Sequence, residues 1–209
     1  MIVFAYGGTV NQYAAEAAAG SQIKIDKCPF CETKGSLVGH GRYWRKPRDG
    51  KQAYRIAISR WRCNICGHTV SALPDFLLRF RWYFLEVVAE ILVQHGEKGA
   101  SWSELEAAWN GTPVVRTMQR WWQSYLEQTQ RWIGAIDATL AAQDSGSAWL
   151  DAQGEAAQGK TAAQVLLSAA GYLLAWGKTR WLELVDYGWK ERLRFLWLWG
   201  SGQGLGRLV

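Results

Sequence analysis

Cysteine is scarce, at four in 209 residues. That density excludes a small scaffold held together by many disulfides. Charged residues make up only 20% of the chain against 49% hydrophobic. Such a balance can bury enough apolar surface to fold, which excludes a disordered tail protein. Long hydrophobic runs are missing. The most apolar late stretch, Thr161 to Trp176, contains Gln164, Ser168 and Gly171. It falls short of the roughly 20 residues that a spanning helix needs. The opening Met1-Ile2-Val3-Phe4-Ala5-Tyr6-Gly7-Gly8 has no basic region, and Asn11, Gln12 and Glu16 break up any apolar core of a leader. A secretory signal needs both. The expectation is a cytoplasmic, reducing location with no membrane partner.

Catalytic signatures are missing too. Gly200 to Gly206 is glycine-rich, but a phosphate loop needs a strand before it and a helix after it. No His-hydrophobe-His pair with a nucleophilic Tyr is present. Asp137, Asp151 and Asp186 alone have the order of a two-metal carboxylate triad, and they lie in helical or linker sequence. The chain is expected not to be an enzyme. Its length suits one domain or two small modules, and leaves too little for a transposase or polymerase core. No internal repeat is visible.

Tryptophan is abundant at 14 residues, and basic charge is concentrated. Residues 1 to 81 hold 13 of the 24 Lys and Arg and 5 of the 18 Asp and Glu, a net of +8. The remainder nets −2 against +6 for the whole. A local excess of this size attracts polyanions.

Residues 2 to 6 read as a short strand, and Val10 to Ala19 as a small helix ending at Gly20. Leu37 to Trp44 and Tyr54 to Arg62 read as strands joined through Lys46-Pro47-Arg48-Asp49-Gly50-Lys51, with Asp-Gly as the turn signal. After Pro74 the period changes. Phe84, Val87, Val88, Ile91 and Leu92 lie at helical spacing within Arg81 to Gln94. Ser101 and Glu104 have the capping-box spacing and open a short helix to about Trp109, with Gly111 just past its end. Thr112-Pro113 reads as an N-cap and first helical residue. That helix runs to about Ile136, with Val114, Met118, Trp121, Trp122, Tyr125 and Leu126 as its apolar side.

The strongest signal is Cys28-Pro29-Phe30-Cys31 with Cys63-Asn64-Ile65-Cys66-Gly67. Each CxxC turn can aim two thiolates at one ion, and two such knuckles complete a tetrahedral four-cysteine zinc site. The 31-residue gap between them is long, but a hairpin returns to its starting end, so the knuckles meet at its base. Two disulfides or a rubredoxin-like iron site are the alternatives. His40 and His68 lie nearby and read as phosphate contacts or surface residues. Arg42, Arg45, Lys46, Arg55, Arg60 and Arg62 interleave with Tyr43, Trp44 and Trp61. That mixture suits phosphate contacts and base stacking, although Trp44 and Trp61 could equally fill a small core. The tight Asn110-Gly111-Thr112 turn gives the helices a helix-turn-helix pattern. In that motif the later helix reads the major groove near its N-terminal end. Arg116, Thr117, Gln119, Arg120 and Gln123 lie off the apolar side, and Arg and Gln have the geometry to read G and A edges.

Four strings belong together: Cys28-Pro29-x-Cys31; Gly39-His40-Gly41-Arg42-Tyr43-x-Arg45; Ile58-x-Arg60-x-Arg62-Cys63-x-x-Cys66; and Thr69-x-Ser71-x-Leu73-Pro74-Asp75-Phe76-Leu77. With Arg116-Thr117-x-x-Arg120-Trp121 they resemble the zinc-ribbon and helix-turn-helix region of insertion-sequence transposases. The pattern is similar to a bacterial family of short, transposase-like proteins of unknown function. The resemblance covers about residues 1 to 130. It implies DNA binding, with Cys28, Cys31, Cys63 and Cys66 holding Zn2+, and it does not imply catalysis.

The expected fold is α+β: an N-terminal strand and helix (1–21), an antiparallel four-cysteine zinc ribbon (22–76), a helix-turn-helix bundle (77–142), a linker (143–160), a C-terminal helical pair (161–199) and a flexible tail (200–209). The expected function is that of a zinc-containing, non-catalytic DNA-binding protein associated with mobile elements, as regulator or target-site recogniser, with double-stranded DNA as partner. A zinc-stabilised protein-interaction adaptor and an accessory subunit of a transposase or nuclease are the alternatives. The Trp-rich end (Trp176, Trp181, Trp189, Trp197, Trp199) would pack into the core, self-associate or meet a transposase.

Overall fold

The structure is a computed structural model. It describes all residues except 21, 22, 24 and 182–190, and the side chains of 155 and 156 are likewise not described. Lys24, Asp186 and Trp189 therefore lie outside the described residues. The chain is mixed α+β, with one four-stranded sheet and, among the described residues, seven helices. It divides into two compact units, Met1–Phe84 and Leu85–Val209.

The first unit is built on the sheet. Its elements are β1 (Ile2–Phe4), α1 (Val10–Ala18), β2 (Leu37–Arg45), β3 (Ile56–Cys63) and β4 (Thr69–Pro74). The strand order is β1-β4-β3-β2, with β1 parallel to β4 and the other pairs antiparallel. β3 is central, and Ile56, Ala57, Ile58 and Ser59 are all buried. The helix α1 packs on β3 and turns Tyr13 and Ala17 inward. The Tyr13 hydroxyl donates to the Ala57 carbonyl at 3.3 Å, and its ring sits edge-on to Tyr6 and Phe76. Thr9 and Gln12 cap the start of α1 reciprocally, which satisfies two backbone donors that a bare helix end leaves open.

The β2–β3 hairpin forms, and its turn owes its shape to Asp49. Asp49 Oδ1 accepts from the Lys51 and Gln52 N–H groups at 2.8 and 2.9 Å, and Oδ2 accepts from the Tyr54 hydroxyl at 2.9 Å. β4 is a strand that the hydropathy pattern does not announce, because Val70, Ala72, Leu73 and Pro74 are buried without clean alternation. It joins β3 to β1, so the N-terminal strand belongs to the same sheet as the cysteine hairpin.

The second unit is helical. Its elements are α2 (Leu85–Gly96), α3 (Trp102–Ala108), α4 (Val115–Gln143), α5 (Ala148–Ala157), α6 (Ala162–Arg180) and α7 (Arg192–Gly202). The expected capping box opens α3: the Glu104 N–H donates to Ser101 Oγ, and Glu104 Oε2 accepts from the Ser101 N–H at 2.8 Å. α4 departs from expectation at its start. Its N-cap is Val114, which has no side chain able to cap. The Val115 N–H is met instead by Glu106 Oε1 at 3.0 Å. Thr112 and Pro113 precede the helix through a cis peptide bond. Val114, assigned to the core on periodicity, is 51% exposed. Met118, Trp121, Tyr125, Thr129, Trp132, Ile136 and Leu140 form the buried stripe, at the three-four spacing of a helix that packs along its whole length.

Two expectations are corrected here. Residues 143–160 contain a helix rather than a linker. α5 is anchored by Trp149, which is buried and donates its Nε1–H to Asp137 Oδ1 at 2.7 Å. The segment reads as polar, and its one large anchor does the packing. Residues 200–209 are also not a loose tail. α7 runs to Gly202, and Leu205, Leu208 and Val209 are buried. The Trp132 indole donates to the Arg207 carbonyl at 3.2 Å. Gly200 permits this approach, because a Cβ there would lie 2.1 Å from the Trp132 ring. Trp176, Trp197 and Trp199 are core residues, while Trp181 is 43% exposed. α6 carries capping residues Thr161 and Gln164 and packs against α4, α5 and α7.

Candidate metal centre

The two CxxC segments fold as the same local structure. In each, the residue after the second cysteine takes a left-handed conformation, Glu32 at φ 57° and Gly67 at φ 74°. Its N–H returns to the first cysteine's carbonyl: Glu32 to Cys28 at 2.9 Å and Gly67 to Cys63 at 3.0 Å. The first cysteine's own N–H donates to a carbonyl just past that residue: Cys28 to Thr33 at 3.1 Å and Cys63 to His68 at 2.9 Å. Glycine takes this conformation freely and glutamate does so at a cost. The antiparallel pairing of Leu37 with Cys63 and the bond from Asn64 N–H to the Ser36 carbonyl at 2.9 Å bring the two knuckles together.

All four Sγ atoms lie within 4.8 Å of one another. The Cys28–Cys66 and Cys31–Cys63 sulfurs are 3.7 and 3.6 Å apart. A disulfide requires about 2.05 Å, so the four are free thiols. A tetrahedral ion at a metal–sulfur distance of about 2.3 Å places its sulfurs about 3.8 Å apart. The observed spacing fits that geometry, and the short distances run between knuckles, as a shared ion requires.

The sulfurs also receive donors. The Phe30 N–H points to Cys28 Sγ at 3.5 Å, and the Ile65 and Cys66 N–H groups point to Cys63 Sγ at 3.4 and 3.5 Å. The Ser36 hydroxyl lies 3.3 Å from Cys63 Sγ. The Cys66 backbone N–H, then Ser36, bring the Cys63 thiol down to about 6. The Thr33 hydroxyl and N–H lower Cys31. Cys66 moves the opposite way, to about 12: its contact with the His68 backbone lowers it, but burial and the three neighbouring sulfurs outweigh that. Four clustered thiols cannot all ionise unless a cation neutralises them, and a divalent metal ion supplies that charge. Cys28 and Cys63 are buried, while Cys31 and Cys66 are partly exposed. His68 is not among the four clustered donors. Its ring stacks on Phe30 at 4.2 Å, and its Nδ1 lies 3.4 Å from Cys66 Sγ. His40 is exposed on β2.

The other sequence candidates fall into separate groups. Arg42 donates to the Ala17 and Gly20 carbonyls at 2.7 and 2.9 Å and closes the C-terminal end of α1. Arg45 donates to the Leu78 carbonyl at 3.0 Å and to the Arg81 carbonyl, and burial lowers its guanidinium pKa. Arg55 is exposed, its guanidinium 4.1 Å over the Trp44 ring. Lys46, Arg60 and Arg62 are exposed. Arg60 and Arg62 share one side of β3 by alternation. In the helical unit, Arg116, Gln119, Arg120 and Gln123 are exposed along α4 and Thr117 is half-buried. Asp137 is occupied structurally, accepting from Trp149 and also from Gln153 Nε2 at 2.8 Å, and Asp151 is exposed on α5. Sequence reasoning missed the aromatic residues Phe80 and Trp82, which are among the most exposed large side chains. The run Phe80-Arg81-Trp82 was their only signal.

Fold and site together define a mixed α+β protein with a candidate four-cysteine metal centre. A family model described as a domain of unknown function (DUF6431) matches residues 28–121. That span begins at the first metal-ligand candidate and ends in the first turns of α4. The description names no activity and no transposase. No curated protein and no solved structure matches the chain. Among the described residues, no helix is long and apolar enough to cross a membrane.

Proposed function

We infer that the chain is a zinc-containing, non-catalytic protein that binds double-stranded DNA, associated with mobile elements as a regulator or target-site recogniser. Zinc suits the all-thiolate donor set and the closed tetrahedral spacing. Its binding contributes folding free energy on the order of 10 kcal/mol in comparable small modules. The metal would be structural: it locks the base of the hairpin that carries the basic residues.

The observation that carries the DNA reading is the exposure of Arg116, Gln119, Arg120 and Gln123 on the first turns of α4, directly after a short turn from α3. α2, α3 and α4 pack on one another, which supports a helix-turn-helix with α4 as its reading helix. Arg60, Arg62, Lys46 and Arg55 would meet phosphates from the ribbon. Arg42 and Arg45 would support that surface from within. The adaptor alternative shares the metal centre and differs in having no use for the exposed arginines.

A duplex-binding titration of the metal-loaded chain across salt concentrations tests this reading. Affinity should fall steeply with salt, with a slope of roughly 0.9 per phosphate neutralised. Arg60→Ala with Arg62→Ala should flatten the slope by about 2. Arg116→Ala or Gln119→Ala should weaken preferred sites more than random ones. Binding that ignores salt and these changes would favour the adaptor.

A further inference from the structure

The register of the sheet sets two hydroxyls beside the two exposed arginines of β3. Arg60 pairs with Ser71 on β4, and Arg62 pairs with Thr69. Residues directly opposite on antiparallel strands share a face, with Cβ atoms about 5 Å apart. Residues two apart on one strand share it as well, at about 6.8 Å. The four side chains therefore form a compact quartet on one face. Arg60, Arg62 and Thr69 are exposed there and Ser71 is half-buried. Trp61 and Val70, the pair between them, point to the other face by alternation and are half-buried and buried.

The quartet has no internal use for its charge. Arg42 and Arg45 on β2 spend their guanidinium groups on backbone carbonyls, and Arg55 lies over the Trp44 ring. Among the described residues, neither Arg60 nor Arg62 has a hydrogen bond, an ion pair or a ring contact. None of the four strands contains an Asp or Glu, so the face carries one sign of charge. Two cations one pleat apart repel each other and attract an anion that repeats its charge. The hydroxyls add direction. Guanidinium presents a planar fork that matches phosphate oxygens, and Ser and Thr donate to the same oxygens.

The backbone beneath is fixed on both sides. β3 is hydrogen-bonded to β2 and to β4, and it ends at Cys63 of the candidate metal centre. The Cys63 N–H donates to the His68 carbonyl at 2.9 Å, which holds the start of β4 against the end of β3. Side chains displayed on such a strand lose little further freedom on binding.

We propose that this face is a two-phosphate clamp for one DNA strand. Arg60 and Ser71 hold one backbone phosphate, and Arg62 and Thr69 hold a second, each arginine through paired N–H bonds. This rests on the DNA-binding reading and deepens it. Thr69 and Ser71 become contact residues, and the arginines act by fork geometry as well as by charge.

The test is fluorescence anisotropy of the full, metal-loaded chain with two labelled duplexes of about 20 base pairs and unrelated sequence, across a salt series. The variants are Thr69→Val/Ser71→Ala, Arg60→Lys/Arg62→Lys and Arg60→Ala/Arg62→Ala. All the changed side chains lie on the open face, and circular dichroism and metal content check that each variant keeps the fold. Thr69→Val/Ser71→Ala should lower affinity by about tenfold. It removes no charge, so the salt slope should stay as in the parent. The loss should be equal on both duplexes, because phosphates carry no sequence. Arg60→Lys/Arg62→Lys should also keep the slope and lose about tenfold, because an ammonium cannot form the fork. Arg60→Ala/Arg62→Ala should flatten the slope by about 2. If the hydroxyl and lysine variants both bind within twofold of the parent while the alanine pair weakens binding, the clamp is overturned and DNA binding through diffuse charge stands. A hydroxyl effect confined to one duplex also overturns it. A parent chain without salt-dependent duplex binding removes the DNA reading and the clamp with it.

Discussion

Replacing Arg45 by alanine separates a structural arginine from a phosphate contact. In sequence Arg45 stands among the ribbon's basic residues, but its guanidinium points inward and holds the Leu78 and Arg81 carbonyls. Hydrogen bonds from a charged donor contribute about 1.5–3 kcal/mol each. The site is only partly buried, so water can replace some of what is lost, and about 2–4 kcal/mol is expected for the pair together. The loss should be local, because Arg48 also ties the adjoining chain through its backbone bonds to Trp82 and Phe84. The assay is amide hydrogen exchange at Arg48 and Phe84. At 1.4 kcal/mol per decade, protection there should fall by roughly 30- to 700-fold if those amides open with the segment. Arg60→Ala should leave both amides unchanged. If Arg45→Ala behaves like Arg60→Ala, affecting affinity but not exchange, the inward clamp is wrong.

Three further outcomes follow from individual contacts. Glu32 occupies the left-handed position that Gly67 fills in the other knuckle; Glu32→Gly should therefore stabilise the metal-loaded unit by about 0.5–1 kcal/mol in urea unfolding. Gly200→Ala would press a methyl to within 2.1 Å of the fully buried Trp132 ring, and should destabilise the helical unit by about 1–3 kcal/mol by chemical denaturation. The Asp49 carboxyl sits below its usual range: burial pushes it up, but donation from Gln52, Lys51 and Tyr54 outweighs that. A depressed carboxyl adds stability above its unfolded pKa of about 4 and loses it as pH falls through the lower folded value. Lys51 and Gln52 amide shifts followed by NMR should move only in that acidic window, and Asp49→Asn should abolish the titration.

Much of this architecture was legible in the sequence, because its signals are local. The CxxC pairs, the Asp-Gly turn and the Ser101–Glu104 box each act over a few residues, and the hairpin then brings the knuckles together. The rest depended on partners distant in the chain. β4 is buried on both faces at Ala72, Leu73 and Pro74, so it lacks the alternation of a half-exposed strand. α5 is polar to the eye, yet Trp149 finds Asp137. The tail holds through Trp132, 75 residues away from Arg207. Charge was the least legible property. The sequence distinguishes Arg42 and Arg45 from Arg60 and Arg62 by nothing, and only the carbonyls they meet do so.

Whether the cysteines hold zinc is decided by metal content, measured by native mass spectrometry of the full chain alongside its Cys28→Ser, Cys31→Ser, Cys63→Ser and Cys66→Ser variants. One zinc ion per parent chain is expected, with thiols that resist alkylation until a chelator is added and weakened metal retention in every variant. A parent chain that remains folded without metal, with four thiols that react freely, would contradict the zinc centre.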